Sequence, residues 1–204
     1  QVRLKSKANA TRNKASTPTL FAQISQPNST FIAVPEVSSE RRKYIPMAFL
    51  DPEIIVSNTV QLIPSATLLQ FGIITSTMHM AWTKSVCGRL ESRLRYSNTI
   101  VYNNYPWPEA PNDAQKAAVE KAAQGVLDAR AAHKGASLAD LYDPLTMPPD
   151  LVKVHNVLDK AVDKCYRPQP FASDAKRVEY LFELYDKYTQ GLLAQEKPKG
   201  KKKK

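Results

Sequence analysis

The sequence predicts an α+β fold, a mixed β-rich module with one buried helix followed by a small all-α helical bundle. Three observations predict it: short β-branched runs confined to residues 17–63, one long apolar stretch after Pro64, and an abrupt change to Ala-rich helical sequence after the proline group Pro106, Pro108 and Pro111. A chain of 204 residues, 43% of them hydrophobic, has the material for one fair-sized core or two small ones.

In the first module, TLFAQIS, STFIAVPEVS, YIPMAFL and EIIVSNTVQLI alternate or run apolar, with Pro, Asn and Ser between them, and are expected to be strands. SATLLQFGIITSTMHMAWTKSVCG then carries Leu68, Leu69, Phe71, Ile73, Ile74, Met78, Ala81 and Trp82, which suits one mostly buried helix capped by Ser65 and ended by Gly88. RLESRLRYSNTIVYNNYPWPEAP reads as an extended segment and a short strand, IVYN, closed by the prolines. NDAQKAAVEKAAQGVLDARAAHK follows as a helix capped by Asn112 or Asp113. SLADLYD is a short helical turn, PPDLVKVHNVLDKAVDKCY a second long helix, and SDAKRVEYLFELYDKYTQGLLAQE a third, with Val178, Leu181, Phe182, Leu184 and Tyr185 on one broad face. The expected units are therefore residues 1–109, residues 110–196 and a disordered basic tail, 197–204. The start, basic and without Met, has no signal-peptide core, so the first unit is expected to be an N-terminally truncated piece of something longer.

Composition and pattern exclude several classes of function. The apolar stretch from Ile54 to Trp82 is interrupted by polar residues and falls short of the roughly 20 apolar residues a bilayer span needs. Cys87 and Cys165 are far apart with no CxxC, which fits a reducing cytoplasm and argues against a zinc site. No phosphate loop, HExxH or GxSxG occurs, and His79, His133 and His155 are scattered. Six glycines leave little material for a nucleotide or S-adenosylmethionine loop, and no Asn-Pro-Pro-aromatic sequence is present to hold a flipped adenine.

The net charge of +10 is unevenly spread: residues 1–105 carry 12 cations against 5 acids, while residues 106–204 carry 17 against 14. Six of the latter cations are the lysines of the tail, so the folded basic surface is expected in the first half. Two polar clusters stand out there. EVSSERRK (36–43) offers hydroxyls and three successive cations suited to phosphate; it also suits a solvated loop. In RLESRLRYSN (89–98), Arg89, Glu91, Arg93 and Arg95 alternate with neutral residues and would project from one face of an extended segment. Arg donates twice to guanine O6 and N7 and Glu accepts from cytosine N4, so Glu91 and Arg93 suit the two sides of one C·G pair. An exposed strand in which Glu91 bridges a neighbouring Arg has the same pattern.

Together, VPEVSSERRKYIP (34–46) and GRLESRLRYSNTIVYNNYPWPE (88–109) resemble the target recognition domain of the MmeI-like family. These are type IIL/IIG single-chain restriction-modification proteins. The resemblance implies a parent with an endonuclease, a connector, an N6-adenine methyltransferase using S-adenosylmethionine and Mg, a target recognition domain and a C-terminal helical domain. This chain would supply the last two, with no cofactor of its own and no catalytic residue. It further implies that Glu91 and Arg93 read one base pair, Glu36 with Asn58 a second, and Thr59 with Arg95 a third. Ser38, Ser39, Arg41, Arg42, Lys43 and Arg89 are then the phosphate candidates, while Tyr96, Tyr102 and Trp107 belong to the core. The expected partners are double-stranded DNA and the parent's methyltransferase domain, with no membrane. A competing expectation is a protein-interaction module that docks on that methyltransferase domain or on an acidic partner.

Overall fold

The computed structural model describes residues 2–17, 19–20 and 25–195, with side chains to residue 191. The predicted strand TLFAQIS and the basic tail lie wholly or mostly outside these residues.

Six short strands form two antiparallel sheets. Strand β1 (Phe31–Pro35) lies between β3 (Ala48–Leu50) and β4 (Val60–Pro64). β2 (Val37–Ser38) pairs with β6 (Arg93–Arg95), which pairs in turn with β5 (Gly88–Leu90). β1 buries Phe31, Ile32 and Val34 completely because packing covers both of its faces, which is why that run is continuously apolar rather than alternating.

The helices are α1 (Asn9–Arg12), α2 (Leu68–Ile74), α3 (Thr77–Val86), α4 (Asp113–Ala132), α5 (Leu138–Leu141), α6 (Pro149–Tyr166) and α7 (Asp174–Gln195). The single helix expected over 65–88 is two. Thr75 bonds back to the Phe71 carbonyl at 2.7 Å and Ser76 to that of Ile73 at 2.7 Å, and Ser76 then caps α3, so hydroxyls satisfy a break inside the apolar run. The cap of α2 is Thr67, in a reciprocal capping box with Gln70, and Ser65 stands ahead of it at φ 53°. Asn112 caps α4 in the same way with Gln115, a contact of about 1 kcal/mol. IVYN is not a strand: Asn98–Tyr102 form a π-helical turn whose Val101 carbonyl accepts from Trp82 Nε1 at 3.0 Å. That tertiary bond, with Val101 fully buried, overrides the β preference of Thr99, Ile100 and Val101.

The two expected units share one core. Helix α2 lies on α4 and α6 so closely that a Cβ on Gly72 would meet Val119 Cγ1 at 2.7 Å, Ala123 Cβ at 3.2 Å and Leu158 Cδ1 at 3.3 Å. On the opposite flank, Trp82 of α3 packs on Phe182 and Tyr185 of α7 at ring separations of 5.2 and 5.8 Å. Buried Asp159 of α6 accepts from Thr77 N at 2.8 Å and Tyr44 OH at 2.7 Å, while burial raises its carboxyl pKa. Arg130 of α4 donates to the Met47 carbonyl at 2.7 Å and also bonds the Tyr142 hydroxyl. The helices thus grip residues 42–47, the segment that leads from β2 into β3.

Candidate nucleic-acid interface

Glu36 sits at the step where the chain passes from β1 into β2, and so from one sheet to the other. Its N–H donates to the Thr59 carbonyl at 2.9 Å, and its own carbonyl accepts from Tyr96 N at 2.7 Å. Thr59 leads into β4 and Tyr96 follows Arg95 out of β6. One backbone residue therefore draws together Glu36, Thr59 and Arg95, three of the predicted readers, with Asn58 adjoining. The Glu36 carboxylate accepts from the Gln61 side-chain amide, and Thr59 Oγ1 lies 2.7 Å from Ser57 Oγ.

The charged segment 89–95 is not one extended strand. It is a hairpin with the two-residue loop Glu91-Ser92, in which Leu90 pairs with Arg93, Arg89 with Leu94 and Gly88 with Arg95. Side chains alternate across a strand and cross-strand partners share a face. Leu94, wholly buried opposite Ser38, fixes the inner face, so Leu90, Arg93 and Arg95 point outward together with Val37. Arg89 lies on the other face, as Leu94's partner, where it meets Glu40 at 3.4 Å and the carbonyls of Ser92 and Lys84. The expectation of four charges on one face is corrected accordingly, because the chain reverses between Leu90 and Arg93. Glu91 turns the corner at φ 57°, a left-handed conformation rare for a residue with a side chain, and accepts from Arg93 Nη2 at 2.9 Å. The two side chains are 78% and 48% exposed, so their ion pair contributes about 0.2–1 kcal/mol and yields readily to another partner.

The phosphate candidates are dispersed. Ser38 is 3% exposed with its hydroxyl buried, out of reach of a phosphate. Ser39 accepts from Arg41 N at 3.3 Å, and Arg41 is exposed. Arg42 turns onto the carbonyls of Tyr142 and Ala139 at 3.2 and 3.4 Å, and Lys43 donates to Asn156 at 3.1 Å, so both brace the loop against the helices.

Beside this face runs a groove of about 1300 Å³ lined by Leu20, Ile55, Asn58, Gln61, Leu62 and Asn98 among others. Asn98 closes the polar cluster 89–98, whereas Gln61 is marked in the sequence only as a polar residue inside an apolar strand. Beneath the face lies His79, 1% exposed, with Nε2 2.9 Å from Tyr96 OH; burial pushes its pKa down to about 3, so it is neutral and structural. Tyr96 is in the core, with Tyr102 and Trp107 half-buried against it.

A family model for the MmeI target recognition domain matches residues 1–109. The chain belongs to the MmeI family. A second model, for the MmeI C-terminal domain, matches residues 110–193. Among known proteins, DNA methyltransferase A of Bacillus subtilis (strain 168) is 40% identical over 188 residues, covering 92% of this chain and 21% of that protein. Among solved structures, the Type IIL restriction-modification enzyme MmeI in complex with DNA is 49% identical with a TM-score of 0.87, over 92% of this chain and 25% of the other. The chain thus carries the target recognition and C-terminal parts of an MmeI relative and spans a quarter or less of the length of the proteins it matches. Among the described residues no three His, Cys, Asp or Glu side chains converge as a metal would require, and no helix is long and apolar enough to cross a membrane.

Proposed function

We propose that this chain reads a specific sequence in double-stranded DNA as the non-catalytic specificity portion of a cytoplasmic restriction-modification enzyme. The parent is an N6-adenine methyltransferase using S-adenosylmethionine and Mg for its two chemistries, and its methyltransferase domain is the chain's other partner. The observation that carries the reading is the backbone junction at Glu36, which gathers Glu36, Thr59 and Arg95 beside a hairpin displaying Glu91 and Arg93. Arg93 and Glu91 supply the donor fork and the acceptor for one C·G pair, Glu36 and Asn58 address a second pair, and Thr59 and Arg95 a third. Ser39, Arg41 and Arg89 contact phosphates. In this reading Ser38 packs, and Arg42 and Lys43 hold the loop in place. By itself the chain neither methylates nor cleaves DNA.

The test is fluorescence anisotropy of the chain with a pool of random-sequence duplexes over a salt series, followed by sequencing of the bound fraction. The expected result is a log affinity that falls linearly with log salt, with one asymmetric motif enriched. Absence of salt-dependent binding, or binding without enrichment, overturns the reading. The double variant Glu91→Lys, Arg93→Asp is expected to exchange the preferred base at one motif position, moving about 1–3 kcal/mol of discrimination to the new pair. An unchanged motif would remove these two residues from base reading.

A further inference from the structure

Residues 2–17 hold five cations, Arg3, Lys5, Lys7, Arg12 and Lys14, and no acid. A run of this kind ordinarily stays extended, since its charges repel. Here two of the cations fold it. Arg3 Nη1 donates to the carbonyls of Lys14 at 2.9 Å and Thr17 at 3.2 Å, and Arg12 Nη1 donates to those of Ser6 at 2.6 Å and Lys7 at 2.9 Å. Around α1 this makes a compact knuckle from a segment with no buried apolar residue in its helix. Lys5 and Lys7 remain exposed, and among the described residues neither joins an ion pair.

The knuckle stands next to the reading face. Leu20 N bonds back to the Thr17 carbonyl at 3.2 Å, and Thr17 is held by Arg3, so the knuckle leads directly into Thr19 and Leu20. Those two residues line the same groove as Asn58, Gln61 and Asn98. Lys5 and Lys7 thus add exposed positive charge to the segment that leads to the groove, and a polyanion neutralises such charge while releasing its condensed counterions.

We infer that the basic knuckle is a second phosphate-binding element, which grips the DNA backbone along the groove through Lys5 and Lys7. This rests on the reading of the chain as a DNA-binding module. It adds a sequence-independent hold, distinct from the Ser39, Arg41 and Arg89 contacts on the hairpin side.

The salt series is repeated on the enriched duplex with the parent chain, with Lys5→Ala/Lys7→Ala and with Lys5→Arg/Lys7→Arg. Each phosphate contact contributes about 0.9 to the slope, so the alanine pair is expected to make it shallower by about 1.8, with the enriched motif unchanged. The arginine pair, which keeps the charge, is expected to retain the parent slope. A parent slope in the alanine pair overturns the inference, as does an altered motif, which would mean base contact. Failure of the parent chain to bind or to enrich a motif is a different result, visible before any variant is made; it overturns the reading on which the inference rests.

Discussion

Gly72→Val is expected to leave little folded protein under conditions where the parent is stable. Even the first added carbon lands 2.7 Å from Val119 Cγ1, with Ala123 and Leu158 closing the other sides. Val119 is fully buried on α4, and a β-branched side chain in a helix has one strongly preferred rotamer, so it has nowhere to turn. Relief must come from moving α2 away from α4 and α6, and overpacking of this kind costs about 1–3 kcal/mol for a small excess and more for a larger one. Total stabilities are about 5–15 kcal/mol. Gly72→Ala separates the effects: Ala favours a helix by about 1 kcal/mol over Gly, yet its urea midpoint is expected below the parent's, because the clash exceeds that gain. A midpoint equal to or above the parent's would show that the α2–α4 contact relaxes at a cost no greater than that gain.

Stability is expected to fall steeply as the pH drops below neutrality, well before carboxylates titrate. His79 and His155 are 1% and 0% exposed, and burial pushes both pKa values down to about 3; beside His155, Arg130 and Lys43 act in the same direction. In the unfolded chain a histidine takes up its proton near pH 6.5. The unfolded state therefore binds more protons between about pH 6.5 and 3, and stability present above 6.5 is lost as the pH falls through that window. Each histidine contributes about 1.4 kcal/mol per pH unit there. Asp159, raised by burial, works in the opposite sense as its own range is approached. From pH 7.5 to pH 5 the urea-derived stability is expected to decrease by about 2–4 kcal/mol. Equal stabilities at the two pH values would mean that the histidines are protonated in the fold. His155→Gln, able to keep the 2.6 Å bond with Tyr142 OH, is expected to flatten the dependence by its own share.

The helices of the second half were legible because local signals agreed. Asn112 with Gln115, Pro149 at the start of α6 and the apolar stripe of α7 each mark a helix without help from distant residues. The errors lie where tertiary contacts decide. Nothing within 65–88 distinguishes one helix from two, since Thr75 and Ser76 break it with side-chain bonds that replace the backbone bonds lost. Alternating charges from Arg89 to Arg95 look the same in a strand or a hairpin, and the turn has Glu91 in place of the usual Gly or Asn, removing the signal that marks such turns. Of the candidate site, Glu91 and Arg93 stand out by residue chemistry, while their spacing also suits an exposed ion pair, and their role as a reading pair entered through the family resemblance. The meeting of Glu36, Thr59 and Arg95 does not stand out, because it depends on sheet register between distant segments and entered through the same resemblance. The commitment of Arg42 and Lys43 to the helices was invisible in a run of three cations.

The family models divide the chain between residues 109 and 110, yet the packing ignores that line. Phe71 and Gly72 need α4 as a lid, Trp82 needs α7, and the loop ahead of β3 hangs on Arg130 and Asp159. The unit of inheritance is therefore not the unit of cooperativity: both halves should melt in one transition, and a chain cut after residue 109 should be left with an open apolar flank in place of a finished protein. Transplanting a specificity between relatives would then require carrying the helices along with the hairpin, or matching the donor's α2 surface to the recipient's α4.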